Sequence, residues 1–264
     1  MDASNYFLET GLSLLNYQHY SEALAALLKV PQASLRNEHE QKTLHMGIGS
    51  AYWGMEKYEE AIAEFRAASH LDPNDPEPYL SMAHVHKMTG TKAAEQSTLR
   101  EAASVPVDCS GREEALGYLS QYEGNYEAAL GHMRRAEQMA PAKGDIPWAI
   151  GNTLFLLKRY EEAAAAFERT LLFPAAKEDR SNQFADLGRT RLLLGQTEAA
   201  KEAFAEALRL FPETRSVFRV MLLHYRSTRQ YGKALVLILN ALRQRLKQSH
   251  EEDKAESQEK AARG

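Results

Sequence analysis

A pattern of small and large residues returns every 34 positions along this chain of 264 residues, and few folds accept such a rhythm. Its clearest copy runs over 42–75, where two short amphipathic helices joined by a tight turn are predicted. The first carries Ile48, Gly49 and Tyr52; the second carries Tyr58, Ala61, Phe65 and Ala68, and Asp72-Pro73-Asn74 ends it. Apolar residues fall at helical spacing in both halves, so each helix has one face to bury. A glycine inside a helix costs about 1 kcal/mol relative to alanine and needs a packing reason. Gly49 and Ala61 supply it: they remove bulk where two antiparallel helices touch, and Phe65 fills the space beside them. Tyr58 stands at the turn, placed to brace one helix pair against the next.

The same positions recur along the chain. The small residue of the first helix returns as Gly11, Gly49, Ala83, Gly117, Gly151 and Gly188, and that of the second as Ala23, Ala61, Ala129, Ala163, Ala200 and Ala234. The large apolar residue four later is Leu27, Phe65, Leu99, Met133, Phe167, Phe204 or Ile238, and the turn aromatic is Tyr20, Tyr58, Tyr126, Tyr160 or Tyr231. On these residues the chain resembles the tetratricopeptide repeat family. The resemblance spans 4–248 as units 4–37, 42–75, 76–109, 110–143, 144–177, 181–214 and 215–248, with a polar, charged tail over 249–264. It implies an all-α, right-handed α-solenoid of seven helix-turn-helix units. The short insertions 38–41 and 178–180 are expected to form loops between units. The third unit departs from the pattern, with Lys92 where Tyr is usual, Glu95 where Ala is usual and an early stop over Val105 to Gly111, and is expected to be irregular.

Catalytic constellations are missing from the sequence. His84 and His86 lie two apart on a predicted helix and point to different sides, a poor metal pair. Cys109 has no histidine placed to activate it. Glu59-Glu60, Glu113-Glu114 and Glu161-Glu162 read as solvated helix residues, and no glycine loop suits a phosphate. A non-enzyme without cofactor or metal is expected.

Binding is the expected function, and the resemblance implies where. In this family the first helix of each unit lines the concave face, through positions two, five, nine, twelve and thirteen. Those positions here hold Met46, Ser50, Trp53, Leu80, His84, Lys87, Glu114, Tyr118, Gln121, Tyr122, Asp145, Trp148, Asn152, Phe155, Asn182, Arg189, Leu192, Arg219 and Arg226. The expected peptide- or protein-binding set is Trp53, His84, Lys87, Tyr118, Tyr122, Trp148, Asn152, Phe155 and Arg189, because aromatics and arginine dominate binding hot spots. Asn152 stands where family members commonly bond a ligand's backbone. The carboxylate clamp of chaperone-binding members is not matched: Glu114, Tyr118, Ala149, Asn182 and Asp186 occupy its positions, and two acids oppose a carboxylate.

Charge adds two alternatives. The net charge of −4 hides an uneven spread: 215–248 holds eight Lys/Arg and no Asp or Glu, whereas 1–214 is acidic. Arg219, Arg226 and Arg229 form a candidate patch for an anionic partner such as a membrane surface, while nucleic acid is disfavoured by the acidic remainder. Leu235, Leu237 and Leu239, with Leu8 and Leu12 at the other end, are candidate contacts between copies of the chain. No run reaches the roughly 18 apolar residues of a membrane span. The single cysteine fits a reducing compartment, and a cytoplasmic protein is expected.

Overall fold

The computed structural model describes residues 3–31, 35, 37–175 and 177–211. Among them are twelve α-helices and no strand: α1 (Ala3–Asn16), α2 (Tyr20–Leu27), α3 (Glu38–Gly54), α4 (Tyr58–Leu71), α5 (Glu77–Met88), α6 (Lys92–Ser104), α7 (Ser110–Tyr122), α8 (Tyr126–Met139), α9 (Asp145–Leu156), α10 (Tyr160–Thr170), α11 (Lys177–Leu193) and α12 (Thr197–Leu210). They form six helix pairs in the phase of the repeat. The chain divides into two compact units, Met1–Ile146 and Pro147–Gly264. Within each unit the architecture is an α-solenoid of stacked pairs. The seventh repeat and its candidates Arg219, Arg226, Arg229, Leu235, Leu237 and Leu239 lie outside the described residues.

The small-against-large rule holds at close range. A Cβ added to Gly11 would lie 2.5 Å from Leu27 Cγ, on Gly49 2.6 Å from Phe65 Cε1, and on Gly117 2.7 Å from Met133 Cε. In the second unit, Gly151 and Gly188 face Phe167 and Phe204 in the same way, each at 2.7 Å. Ala23, Ala61, Ala129, Ala163 and Ala200 are fully buried on the opposing helices. Removal of these large apolar rings and chains from water supplies the stability of each pair. The turn tyrosines act as braces: the Tyr20 ring lies against Gly54 of the next first helix, and Tyr58 packs on the cluster containing Met82 and Val85 of α5.

One turn geometry repeats six times. The second residue after the first helix is left-handed in each pair, with φ of 63° at Gln18, 59° at Glu56, 74° at Gly90, 76° at Gly124, 61° at Lys158 and 74° at Gly195. The next N–H then donates back into the helix: His19 to Leu14 O, Lys57 to Tyr52 O, Thr91 to His86 O, Asn125 to Ser120 O, Arg159 to Leu154 O and Gln196 to Arg191 O. This is the Schellman closure of a helix C-terminus.

A polar pair is built into the same frame. His45 Nδ1 and Glu64 Oε2 are 2.7 Å apart between α3 and α4. The same two positions in α7 and α8 hold Glu113 and His132, 2.8 Å apart, with acid and imidazole exchanged.

Four expectations are corrected. Segments 38–41 and 178–180 are not loops. They extend α3 and α11 by about a turn at their N-termini, giving two helices of 17 residues. Asn37 caps the first by accepting a hydrogen bond from Glu40 N at 2.9 Å. The third repeat is regular: α5 and α6 both form, with Lys92 opening α6, although α6 does stop early at Ser104 before extended Val105. Leu8 and Leu12 are not an outward face. Leu8 is buried in a cluster with Leu44 and Ile48 of α3, and Leu12 packs against it. Finally, Glu113 and Glu114 are not solvated; they are 6% and 5% exposed. Arg135 Nε donates to Glu113 at 2.9 Å, and Lys143 Nζ to Glu114 at 2.9 Å.

Candidate functional site

In the first unit, three successive first helices bring their rings together. Trp53 on α3 stacks on His84 of α5, with centroids 6.1 Å apart and planes at 12°. His84 meets Tyr118 of α7 edge-on at 6.4 Å. Lys87, one turn along α5, places Nζ 5.7 Å from the centre of the Tyr118 ring. Sequence positions nine and twelve thus converge into one ladder because the stacked pairs place equivalent helix faces side by side. Trp53 is 38% exposed and Tyr122, at the end of α7, 40% exposed. Both present apolar ring surface to solvent.

The ladder stands among carboxylates. Tyr122 donates its hydroxyl hydrogen bond to Glu95 Oε2. Glu95 occupies the alanine position of its repeat on α6 and is only 6% exposed. Lys143 Nζ reaches both Glu77 Oε1 at 2.8 Å and Glu114 Oε1 at 2.9 Å. Burial lifts the Glu114 pKa above the ordinary carboxylate value despite Lys143, which it shares with Glu77. Burial alone would lower Lys143, yet the two carboxylates hold it above the usual lysine value. Burial keeps His84 below its ordinary pKa, aided by the charge of Lys87, so it is neutral near pH 7. Tyr118 is pushed up by burial and by the charges of Glu114, Asp145 and Glu95. Tyr122 is pushed up to about 12 by burial and by Glu95. Both phenols are therefore neutral near pH 7.

The second unit carries its own cluster. Trp148 on α9 is half-buried and donates its indole N–H to Asp186 Oδ2 of α11 at 3.0 Å. Asp186 Oδ1 also takes Arg189 at 3.0 Å. The Arg189 guanidinium lies 4.0 Å from the centre of the Phe155 ring, and Phe155 meets Tyr160 edge-on at 5.4 Å. Arg189 Nε is buried with no hydrogen-bond partner among the described residues. Asn152 is half-buried one turn before Phe155.

Three participants escaped the expected site set: Glu95, Lys143 and Asp186. Glu95 did carry a signal, as an acid at an alanine position. Lys143 and Asp186 carried none, since each acts through a cross-helix bond that spacing alone does not display. No cluster of three or more His, Cys, Asp or Glu suited to a metal occurs among the described residues. No described helix is long and apolar enough to cross a membrane.

Comparison with known proteins places the repeat and the fold. One family profile, described as TPR repeat, matches residues 49–90, and two described as Tetratricopeptide repeat match 114–180 and 184–214. A human protein, Protein O-mannosyl-transferase TMTC1, is 25% identical over 173 residues, which are 64% of this chain and 19% of that protein. The chain therefore spans about a fifth of that relative's length. Among solved structures, the APC/C hetero-tetramer Cut9-Hcn1 is similar at TM-score 0.69 and 19% identity, covering 89% of this chain and 45% of that one. A monomeric mutant of IFIT1 with Gppp-AAAA is similar at TM-score 0.69 and 18% identity, covering 92% and 59%. The type IV pilus biogenesis factor PilW is similar at TM-score 0.55 and 16% identity, covering 84% and 99%. At these identities the likenesses establish the fold.

Proposed function

The chain belongs to the tetratricopeptide repeat family, and from that premise we propose that it is a non-catalytic adaptor or assembly scaffold which binds a peptide or protein segment along the face of its first helices. The observation that carries this reading is the ladder of Trp53, His84 and Tyr118 across three successive repeats. His84 and Tyr118 are partly buried, but Trp53 is exposed, and exposed aromatic rings are costly to leave in water and are the side chains from which binding hot spots are made. Tyr122 extends the apolar surface on α7. In the second unit, Asn152, Phe155 and Arg189 form the corresponding face, with the Arg189 guanidinium over the Phe155 ring. Trp148 contributes mainly as the hydrogen-bonded support of Asp186.

Exposure dictates the test. Trp53→Ala with His84→Ala removes the stacked rings of α3 and α5 while leaving the Gly49–Phe65 seam intact. Full-length wild type and variant are used as baits for affinity capture, identified by mass spectrometry, and helicity is compared by circular dichroism. A protein captured by wild type and lost from an equally helical variant is the expected result. Equal recovery by both baits would remove the ladder from the binding face.

A further inference from the structure

Glu95 is the residue that neither the repeat nor its packing explains. Five other repeats place alanine at its position, as Ala23, Ala61, Ala129, Ala163 and Ala200, all fully buried. A carboxylate there is larger, charged and 6% exposed. Its hydrogen-bond partner is the neutral hydroxyl of Tyr122, and no Lys or Arg forms an ion pair with it among the described residues. A buried carboxylate is stabilised chiefly by a cation, and a single phenol replaces that poorly. Its field reaches the binding face, where it lifts the pKa values of Tyr118 and Tyr122.

The surroundings point the same way. Four carboxylates border this face, Glu77, Glu95, Glu114 and Asp145, against two ammonium groups, Lys87 and Lys143. Lys143 is committed to Glu77 and Glu114. The Tyr118 ring already holds an ammonium, since Lys87 Nζ stands 5.7 Å from its centre. A phenol ring face attracts a cation, and carboxylates nearby add to that attraction. The exposed Tyr122 ring, whose hydroxyl donates to Glu95, offers a second face.

Building on the proposed binding of a segment along the first helices, we infer that the first unit selects a segment carrying a lysine or arginine, whose charged end is received by Glu95 and the rings of Tyr122 and Tyr118. The occupant is therefore basic at that point, and the ladder of Trp53 and His84 takes neighbouring apolar parts of it. Lys87 stands as an internal competitor for the same acidic field.

The probe is a library of random nine-residue linear peptides displayed on phage and selected on the full chain. One selected peptide is then synthesised with its cationic side chain and again with norleucine in its place. Enrichment of Lys or Arg at one position is expected. Glu95→Gln keeps an acceptor for Tyr122 but removes the charge, and should weaken the cationic peptide by about tenfold or more while leaving the norleucine peptide unchanged. Lys87→Met should tighten the cationic peptide alone. Absence of cation enrichment, or equal weakening of both peptides by Glu95→Gln, overturns the inference. Trp53→Ala with His84→Ala reads the underlying groove separately: if it loses both peptides, the groove stands whatever Glu95 does. If the wild-type chain selects no peptide, both readings fall.

Discussion

Three of the six turns place a non-glycine residue in the left-handed region, at Gln18, Glu56 and Lys158, where the others have Gly90, Gly124 and Gly195. The backbone geometry is the same in all six, so the two sets differ only in the side chain that must tolerate it. A Cβ in the left-handed region costs roughly 1–2 kcal/mol, partly offset because glycine has more freedom to lose on folding. Lys158→Gly is therefore expected to stabilise the chain by about 0.5–1 kcal/mol, and Gly124→Ala to destabilise it by about 1 kcal/mol. Added bulk does not confuse the second case, because a Cβ at Gly124 meets nothing within 4 Å. Denaturant unfolding of the two variants checks both signs; a stabilised Gly124→Ala would contradict the turn geometry. Glycine at 90, 124 and 195 is visible in the sequence, whereas Gln, Glu and Lys declare no preference for a left-handed site. Only half of this shared turn is legible from residue types.

Element boundaries were legible wherever the repeat supplied them. Each predicted pair among the described residues forms in phase because Gly49, Gly117, Gly151 and Gly188 have the partners that their size requires. Misreading arose where the period slipped. Four extra residues at 38–41 looked like loop because they fell between units, yet Asn37 before Glu38 and Glu40 is a capped start with acids in the first turn. Local helix signals outweighed the repeat boundary. Asn37→Ala should therefore cost about 1 kcal/mol in global stability and speed amide hydrogen exchange in the first turn of α3. Unchanged exchange there would mean that the cap does not set the start. The ladder of Trp53, His84 and Tyr118 was legible for the same reason as the helices, since equivalent positions on adjacent first helices must meet. Its ionic partners were not. Glu114 was expected to line the face, but Lys143, the last residue of the same repeat, covers it and also reaches Glu77 in the preceding repeat, contacts that no period encodes.

At the scale of the molecule, division into Met1–Ile146 and Pro147–Gly264 matters more than the number of repeats. A repeat array draws its stability from neighbouring interfaces, and about three repeats suffice to bury a continuous core. Met1–Ile146 contains four helix pairs and the whole ladder from Trp53 to Tyr118, together with Glu95, Lys143 and Asp145. A fragment of residues 1–146 is therefore expected to be helical, to unfold in one cooperative thermal transition and to bind a peptide selected on the full chain. Circular dichroism and titration of that peptide test the two properties separately. A broad, non-cooperative melt would show that the first four repeats do not fold independently of the second unit. A cooperative melt without peptide binding would show that the second unit, with Asn152, Phe155 and Arg189, supplies part of the recognition. Arg189 gives that outcome a physical basis, because among the described residues its guanidinium over the Phe155 ring is the cation of the binding set expected in that unit, opposite in sign to the carboxylate that distinguishes the first.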